Sequence, residues 1–514
     1  MTEEDQHGPG QDGQVPEQPF AGVAETHSAV VYFAGDRAYK LKKPVRTEFL
    51  DFSTPDLRAE ACRRETELNR RFAPDVYLGV AEITDPDGRP ADHLVVMRRM
   101  PASRRLSDLV GAGEPVDEPV RAVARILAAQ HARAPRGPRI SEQGGRDATA
   151  RRWADNVAQT RHLGRGILAS EDVEEVGRLA ARFLDGRQGL LSARISDGRV
   201  VDGHGDLLAA DIFCLPDGPR VLDCLEFDDS LRWVDGLDDA AFLAMDLERL
   251  GAAGLAERFL HWYAEYSGDP APMSLRHHFV AYRAFVRAKV SCIRAGQGDP
   301  LAAGEARVLT DLTLAHLRAG AVTAVLVGGL PGTGKSVLAA GLADALGWTV
   351  LSSDRVRKEL AGIATEARAP APYGGGIYSP EWTRRTYAEL LARAARLLGA
   401  GESVIIDATW TSAAQRADAA AVAQAASADL VSLHCAAPLS VTADRMRART
   451  AGASDASPQI AGQMARDAEP WPEAVTIDTA GPPAGAPLAL ALAAIRPHGH
   501  EHVWRPRRPY MQPG

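Results

Sequence analysis

The pattern of apolar and polar positions changes character twice along the chain. From residue 20 to about 101, short runs rich in β-branched and aromatic residues, such as "AVVYF" and "HLVVMRRM", alternate with turns and with one charged helical stretch, "DLRAEACRRETELNRRFA". Gly35 and Asp36 separate two of these runs, which is a hairpin signal. This part of the chain therefore predicts strands with one helix.

Helical spacing dominates after residue 102, and residues 117–185 and 236–318 are predicted to be largely helical. A strand–turn–strand region lies between them, "RVVDGHGDLLAADIFCLPDGPRVLDCLEFDD". A third pattern begins near Ala321, where the apolar runs "WTVLSS", "SVIIDAT" and "LVSLHCA" are separated by helical stretches. Such alternation predicts a parallel α/β sheet.

These changes predict a multidomain chain that combines α+β and α/β folds. Residues 1–19 are polar and rich in Gly, Pro and Gln, which is typical of a disordered tail. We predict one domain over 20–318, a second over 319–496, and a Pro/Arg/His tail over 497–514. The amino terminus lacks the features of a signal peptide, and no apolar run approaches the roughly 20 residues that span a bilayer. We therefore expect a cytoplasmic protein that binds no membrane.

Composition narrows the class of partner. The chain of 514 residues is 45% hydrophobic and 25% charged, as in ordinary soluble proteins, and its formal net charge is −8. That charge gives no electrostatic reason to bind nucleic acid or an anionic membrane, so we expect a small-molecule partner. The five cysteines form no CxxC pair and fit reduced thiols. The oligomeric state is left open.

One motif indicates nucleotide binding with high specificity. "GLPGTGKS" follows an apolar strand and precedes an Ala/Leu-rich helix, and it fits the P-loop pattern with Gly329, Gly332, Gly334, Lys335 and Ser336. Its backbone N–H groups and the helix amino terminus form an anion cradle. We predict that the lysine neutralises the β- and γ-phosphates of ATP and that the serine hydroxyl ligates Mg²⁺.

Further polar residues follow the later strands. Asp354 stands at the end of one strand with Arg357 a turn into the next helix, and Asp407 ends another strand. Ligands bind outside the carboxyl ends of strands in open α/β sheets. We predict a functional role for Asp354 and a role as a magnesium ligand for Asp407. Each aspartate could instead serve only as a helix N-cap.

A basic helix, "TADRMRART", precedes a stretch of small residues and carries Arg445, Arg447 and Arg449. A lid that closes on phosphates needs such cations while it excludes water. We predict phosphate contacts from Arg445 and Arg449, although a solvated helix face explains the same arginines. Together with the P-loop, these residues resemble the P-loop kinases of the gluconate kinase, adenylate kinase and polynucleotide kinase kind. The resemblance covers roughly residues 320–496. It implies ATP-dependent phosphorylation of a hydroxyl group, with Asp354 as a catalytic residue and Arg357 as a contact on the acceptor side.

A second candidate site precedes the P-loop. In "HGDLLAADIFCLPDGPRVLDCLEFDD", Asp206 is followed five residues later by Asp211 and, a strand later, by Asp223. This is the spacing of the protein-kinase catalytic loop and of its metal-binding aspartate. We predict that Asp206 accepts the proton of the attacking hydroxyl and that the other two bind Mg²⁺, which prefers oxygen ligands.

The partner elements of such a site stand upstream in the expected order. Lys40 lies on a strand, as a phosphate-binding lysine would, and Glu65 lies on the next helix, where it could pair with the lysine. Lys42 shares the face of Lys40, and Glu60 or Glu67 could replace Glu65. The alternative is a surface hairpin beside a solvated charged helix.

The segments "THSAVVYFAGDRAYKLKKP", "RRETELNRRFAPDVYLGV", "HGDLLAADIF" and "LDCLEFDD" resemble the aminoglycoside phosphotransferase-like kinases. They are closest in pattern to a bacterial two-part family in which a P-loop, gluconate kinase-like ATP-binding domain follows. The resemblance runs from about residue 20 to 496 and implies a bilobal, protein-kinase-like first domain. By the same resemblance, Asp239 anchors the catalytic loop.

Two features depart from the kinase pattern. Asp211 stands where the motif has asparagine, which keeps an oxygen ligand but adds a negative charge beside the phosphates. The chain also has no GxGxxG loop, so "ETHSAV" would have to cover the nucleotide. Both features raise the question of whether the first site transfers phosphate.

The leading hypothesis is a two-module, ATP-dependent and Mg²⁺-dependent kinase that phosphorylates small hydroxylated molecules such as sugars or aminosugars. The alternative is a regulatory or stress-linked nucleotide-binding protein in which one or both modules are catalytically idle. A 5′-hydroxyl polynucleotide kinase is a third possibility, which the acidic net charge disfavours.

Overall fold

The computed structural model describes residues 19–26, 28–46, 51–364, 367, 372–448, 457–481 and 485–495. These residues group into two compact units. The first takes the chain up to residue 133 together with 204–232, and the second takes 134–203 together with the chain from 233 onwards.

The strands of both units, in chain order, are β1 (Ala21–Glu25), β2 (Ala29–Ala34), β3 (Arg37–Lys42), β4 (Tyr77–Thr84), β5 (Pro90–Arg98), β6 (Val200–Asp202), β7 (Ile212–Leu215), β8 (Gly218–Val221), β9 (Trp233–Asp235), β10 (Thr323–Gly328), β11 (Thr349–Ser352), β12 (Val404–Asp407), β13 (Asp429–Ala436) and β14 (Val475–Asp478).

The helices are α1 (Pro55–Asn69), α2 (Leu106–Gly111), α3 (Asp117–Arg133), α4 (Pro138–Gln143), α5 (Arg146–Leu163), α6 (Ser170–Asp185), α7 (Gln188–Ser196), α8 (Gly236–Arg249), α9 (Ala253–Ser267), α10 (Met273–Gly296), α11 (Ala302–Ala319), α12 (Lys335–Leu346), α13 (Ser353–Leu360), α14 (Pro380–Gly399), α15 (Ala413–Ala425), α16 (Leu439–Ala448), α17 (Pro458–Asp467) and α18 (Ala486–Ile495).

The first unit is built on an antiparallel sheet in the order β1-β2-β3-β5-β4. The predicted hairpin is confirmed: β2 and β3 pair with Ala34 opposite Arg37, and Gly35 between them has a φ of 57°. Helix α1 packs on β4 and β5, and a buried apolar cluster that includes Val95 and Met97 fills this unit. The sheet thus holds β3, which carries Lys40, at its centre.

Local sequence fixes where α1 begins. The hydroxyl of Thr54 accepts a hydrogen bond from the backbone N–H of Leu57, and Pro55 occupies the first helical position, where its missing N–H costs nothing. The helix buries its inner face, including Cys62 and Glu65, against the sheet. Because charged side chains are seldom fully buried unless they are paired, buried Glu65 is expected to have a partner of opposite charge.

Most of the second unit before residue 320 is helical, as predicted for residues 236–318. Helices α10 and α11 pack closely against each other, and α8 packs against α9 and α10. A short antiparallel pair, β6 with β9, joins segments that are distant in the chain. Helix α7 was not predicted.

The remainder of this unit contains the predicted parallel sheet, in the order β11-β12-β10-β13-β14. Side chains alternate between its faces: Ala324 and Leu326 of β10 join one buried cluster with α14 and α15, while Val325 and Val327 join another with α12 and α18. Both faces of the sheet are therefore covered, which explains why the central strands β10 and β12 are buried along their whole length.

Helix α11 ends at Ala319, and β10 starts at Thr323. The division into domains over 20–318 and 319–496 stays a prediction. The five cysteines are buried free thiols. Within the described part of the chain, every helix is too short or too polar to cross a membrane.

Candidate active sites

The first unit brings Lys40 of β3, Glu65 of α1 and Asp223 together. The Nζ atom of Lys40 lies 2.9 Å from Oε1 of Glu65 and 2.7 Å from Oδ1 of Asp223. Glu60 and Glu67 instead pair with arginines on the helix surface. Of the three glutamates that the sequence left open, Glu65 is therefore the partner of Lys40.

Lys42 takes part as well. Its Nζ atom lies 2.7 Å from Oε2 of Glu65, and it also donates to Glu226, a residue that sequence reasoning missed. Although burial alone would raise it, Lys40 and Lys42 hold the pKa of Glu65 at about 2. The glutamate is therefore a carboxylate at every physiological pH. The pattern "KLK" placed both lysines on one face and was the signal for the second contact.

Asp223 has a backbone conformation that few non-glycine residues adopt, with a φ of 64°. Its N–H donates to the hydroxyl of Tyr77, 3.1 Å away, and the next N–H, of Cys224, donates to Oδ1 of Asn69 at 2.8 Å. These flanking bonds hold the strained residue in place. Strain of this kind costs about 1 to 3 kcal/mol and is concentrated at functional sites.

The carboxylates of Asp206, Asp211 and Asp223 converge near Lys40. Burial first, and then the charges of Asp223 and Asp206, raise the pKa of Asp211 well above its usual value. Asp211 ends the short turn before β7, and the β7–β8 hairpin leads to Asp223. Such a cluster of oxygens fits a divalent cation. We call Lys40, Glu65, Asp206, Asp211 and Asp223 the kinase-like site.

Two supporting residues of this loop are also placed. His204 is fully buried, and its Nε2 atom lies 3.1 Å from the carbonyl oxygen of Leu222, so the imidazole makes a hydrogen bond inside the first unit. Within the second unit, Asp239 is buried against Gly203, where a Cβ atom would lie 2.6 Å from its Oδ2 atom. That contact agrees with the predicted structural role of Asp239.

The P-loop lies between β10 and α12, in the second unit. Gly329, Gly332 and Gly334 all have positive φ angles, of 141°, 84° and 86°. A Cβ atom on Gly332 would lie 2.8 Å from the carbonyl oxygen of Thr442, and one on Gly329 would lie 2.6 Å from that of Cys435. Glycine is therefore required at both positions, and the backbone can wrap around an anion.

Lys335 and Ser336 begin α12 and meet Asp407, the last residue of β12. Burial raises the pKa of Asp407, whereas the charge of Lys335 and a hydrogen bond with the Ser336 side chain lower it. One carboxylate oxygen, Oδ1, is buried without a hydrogen-bond partner. A hydroxyl beside a carboxylate with an unused oxygen fits a magnesium ion at the phosphates.

Neither Asp354 nor Asp407 is a helix N-cap. Ser352 is the N-cap of α13, so Asp354 lies within the first turn, and the N-cap of α15 is Ser412 rather than Asp407. Asp354 also raises the pKa of Asp407, so the two carboxylates lie near each other. This proximity favours the functional interpretation of both over the capping alternative.

Arg357 is almost fully buried beside a cavity of about 320 Å³. Its Nη1 donates to the carbonyl oxygen of Ile377 at 2.8 Å and to Thr383 Oγ1 at 3.3 Å, and its guanidinium lies over the ring of Tyr378. Among the described residues, the Nε atom has no hydrogen-bond partner. The cavity is also lined by Lys335 and Asp354 and by further residues, which include Tyr373, Tyr378, Tyr387, Thr409, Gln415 and Met464.

The predicted basic lid is partly placed. Arg445 of α16 donates from Nη2 to the carbonyl oxygen of Thr479 at 2.7 Å, and its Nη1 lies 3.6 Å from where a Cβ atom of Gly334 would be. Arg447 pairs with Asp444 on the exposed face of the helix. Arg449 lies outside the described residues. We call the P-loop glycines, Lys335, Ser336, Asp354, Arg357 and Asp407 the P-loop site.

No group of three or more His, Cys, Asp or Glu side chains among the described residues is arranged to hold a metal ion on its own. A metal at either site would thus share its coordination with the phosphates of a bound nucleotide, as Mg²⁺ does in kinases.

Comparisons with known proteins agree with this layout. Residues 325–470 match the family of AAA domains. The protein Rv2004c of Mycobacterium tuberculosis (strain ATCC 25618 / H37Rv) is 46% identical over 468 residues, which cover 91% of this chain and 94% of the relative.

Two solved structures are among those to which the chain is similar. A gluconokinase from Sinorhizobium meliloti 1021 is 22% identical and covers 35% of this chain and 98% of its own, with a TM-score of 0.26. The GDP complex of aminoglycoside 2′-phosphotransferase-IIIa is 16% identical and covers 59% and 95%, with a TM-score of 0.34.

The predicted fold class is confirmed in both parts, by the antiparallel sheet with its helix and by the parallel P-loop sheet. The P-loop lies within the residues that match the family of AAA domains, and the paired Lys40 and Glu65 lie beside convergent carboxylates, so each candidate site has groups that suit nucleotide phosphates and Mg²⁺. The chain belongs to the same family as Rv2004c.

Proposed function

We propose that the chain is a two-module phosphotransferase in which each module binds ATP and Mg²⁺ and phosphorylates a small hydroxylated molecule such as a sugar or aminosugar. The single observation that carries the proposal is the cavity of about 320 Å³ beside the P-loop, because Lys335 and Asp354 both line it. A phosphate-binding lysine and a candidate base facing one enclosed space is the arrangement that phosphoryl transfer to a hydroxyl needs.

In the P-loop site, the backbone N–H groups and Lys335 would hold the β- and γ-phosphates, and Ser336 with Asp407 would hold Mg²⁺. The ion, when bound, offsets the charge of the phosphates. The acceptor oxygen bonds to the γ-phosphorus as the bond from that phosphorus to the bridging oxygen breaks. ADP leaves, and Asp354 takes the hydroxyl proton.

The cavity also indicates how an acceptor would be oriented. Arg357 is already fixed by two hydrogen bonds and by the Tyr378 ring, so it needs little reordering when a polar group meets its free Nε. Tyr373 and Met464 add apolar surface to the same space. A small molecule with both hydroxyl groups and an apolar face suits this lining.

In the kinase-like site, Lys40 would contact the phosphates, with Glu65 positioning it, and Asp211 with Asp223 would hold the metal. Asp206 would then receive the acceptor proton. The electrostatic coupling of Asp206 to Asp211 supports their common location. This part of the proposal is independent of the P-loop, since the two sites share no residue.

One observation favours the second candidate function for the first module alone, a nucleotide-binding role without transfer. Asp211 replaces the asparagine of the kinase motif, and burial first, followed by the charges of Asp223 and Asp206, raises its pKa well above the usual value. An additional negative charge beside the phosphates disfavours nucleotide binding or transfer. An idle first module would leave the P-loop module as the only kinase.

The test is transfer from γ-labelled ATP, with Mg²⁺, to pooled sugars, aminosugars, aminoglycosides and oligonucleotides. Wild type is compared with Lys335→Ala, Asp206→Asn and the double variant. We expect labelled sugar-like products, part of which each single variant removes. Tight ATP binding with no labelled acceptor would refute the proposal, and labelling of oligonucleotides alone would identify a polynucleotide kinase.

A further inference from the structure

A second cavity, of about 410 Å³, lies in the second unit where α6, α10 and α11 meet the amino-terminal ends of β10 and β13. Thr323 and Asp429, the first residues of these strands, both line it. The P-loop follows the opposite end of β10, so this cavity is separate from the P-loop site. Neither candidate reaction uses any of its residues.

The walls of this cavity are held together by close backbone contacts. A Cβ atom on Gly186 would lie 2.0 Å from the carbonyl oxygen of Ala426, so the end of α6 touches the end of α15 directly. The hydroxyl of Ser274 donates to the carbonyl oxygen of Gly401 at 2.6 Å. The cavity therefore lies between two well-packed parts of one compact unit.

Arg187 is the most unusual lining residue, because its side chain is only 1% exposed yet no carboxylate pairs with it in the described part of the chain. Its Nη1 donates to the carbonyl oxygens of Gly186 and Ala426, at 2.8 and 2.7 Å. Its Nε is buried and has no hydrogen-bond partner among the residues that the structure describes. A buried guanidinium without a counter-ion is costly unless an anion meets it.

His278 supplies a second unused donor in the same wall. The indole N–H of Trp153 can only donate, and it lies 3.1 Å from Nε2 of His278, so the imidazole accepts there and carries its proton on Nδ1. That Nδ1 is buried, and no described residue makes a hydrogen bond to it. Burial first, and then the charge of Arg187, lower the pKa of His278 to about 3, so the ring is neutral at physiological pH.

The remaining charges do not balance Arg187. Arg178 is bonded to Glu175 at 2.7 and 2.8 Å, and Arg182 lies 2.6 Å from Asp429, so these four charges offset one another. Arg318 is exposed at the cavity and makes no ion pair within the described residues. The lining therefore carries an excess of two positive charges, from Arg187 and Arg318.

We propose that this cavity binds a small phosphorylated metabolite, whose phosphate receives hydrogen bonds from Arg187 and from Nδ1 of His278 while Arg318 contributes charge at the mouth. A phosphate dianion matches the excess charge, and its three oxygens match donors that approach from different elements. The volume of about 410 Å³ accommodates a molecule of sugar-phosphate size. Water alone would satisfy the two donors but would leave the charge uncompensated.

The test uses the full chain carrying Lys335→Ala, so that phosphate binding at the P-loop is weakened. Inorganic phosphate and then glucose 6-phosphate are titrated, and binding is followed by calorimetry and by tryptophan fluorescence, since Trp348 lines the cavity. We expect a millimolar or tighter site whose fluorescence signal disappears in Trp348→Phe. Arg187→Lys and His278→Gln should each weaken binding at least about fivefold, because each removes or displaces one donor.

Arg161→Met is the matched control, because Arg161 makes a bidentate surface pair with Glu174 and does not line the cavity. It should leave the affinity unchanged. If Arg187→Lys does not fold, the exposed Arg318→Met should still weaken phosphate binding. Equal affinity in all variants, no saturable signal in the parent protein, or acetate binding as tightly as phosphate would each overturn the proposal. If wild type phosphorylates no acceptor but phosphate still binds in this cavity, the proposed function is refuted and this inference stands.

Discussion

Lys40 and Glu65 form a buried ion pair, with Nζ 2.9 Å from Oε1, between the third strand and the first helix of the antiparallel sheet. The carboxylate is 1% exposed and its other oxygen lies 2.7 Å from Lys42. One glutamate thus neutralises part of the charge of two neighbouring lysines. The ion pair therefore couples the position of Lys40, the predicted phosphate-binding lysine, to the position of helix α1.

Replacing Glu65 by Gln should lower any transfer by the kinase-like site at least about tenfold, because the neutral amide no longer holds Lys40 in place. The measurement is the rate of phosphoryl transfer in the Lys335→Ala background, where the P-loop site is silenced. Glu60→Gln is the control, since Glu60 pairs with Arg63 on the surface. An unchanged rate in Glu65→Gln would show that this pair has no role in transfer.

Gly332→Ala should abolish tight ATP binding at the P-loop site. The new methyl group would meet the carbonyl oxygen of Thr442 at 2.8 Å, at a φ of 84° that alanine adopts only with strain. We expect the affinity for ATP in this module to fall at least about tenfold. Binding is measured by calorimetry in the Lys40→Ala background.

The matched control for that substitution is Gly341→Ala, in helix α12 that follows the P-loop. Its methyl group would meet only the side chain of Leu488, at 3.6 Å, which is ordinary contact. Alanine is the better helix former by about 1 kcal/mol, so this variant should keep its affinity and be slightly more stable. Equal loss of binding in both variants would contradict the role assigned to Gly332.

His278 should make the protein less stable as the pH falls. Its folded-state pKa of about 3 lies below the unfolded value of 6.5, so the unfolded chain binds the proton first. The stabilisation is complete above pH 6.5 and declines below it, by about 2 kcal/mol at pH 5. His278→Gln should therefore lose less stability than wild type between pH 7 and 5 in urea unfolding. Parallel losses in the two proteins would refute this assignment.

Arg194 should be among the most sensitive positions of the second unit. It is buried and bonded to Asp269 and to Asp235, whose Oδ1 lies 2.6 Å from Nη2 and also accepts from the N–H of Leu237. Arg194→Met would leave two buried carboxylates without their cation, at a cost of about 3 to 5 kcal/mol. The thermal midpoint should fall sharply, while Arg161→Met on the surface should leave it unchanged.

Several features could be predicted from the sequence because they depend on local pattern or on a fixed spacing. The hairpin at Gly35, the strand ending at Asp407 and the interval from Asp206 to Asp211 and Asp223 are of this kind. A glycine turn and a run of apolar residues specify them without tertiary information.

Other features depend on partners that are distant in the chain. Nothing near Glu226 indicated that it would meet Lys42, and β14 is a short edge strand with mostly exposed residues, so its pattern resembles a loop. The local sequence does not distinguish Arg187 from a surface arginine, because its burial against Ala426 depends on tertiary packing. Burial of a charge is set by tertiary packing, which a single sequence does not display.

The central claim is that one chain carries two independent nucleotide sites, and counting bound nucleotides tests it most directly. Calorimetric titration with a non-hydrolysable ATP analogue and Mg²⁺ should give two nucleotides per wild-type chain. Lys40→Ala and Lys335→Ala should each give one, and the double variant none. One nucleotide per wild-type chain that only Lys335→Ala removes would contradict the account.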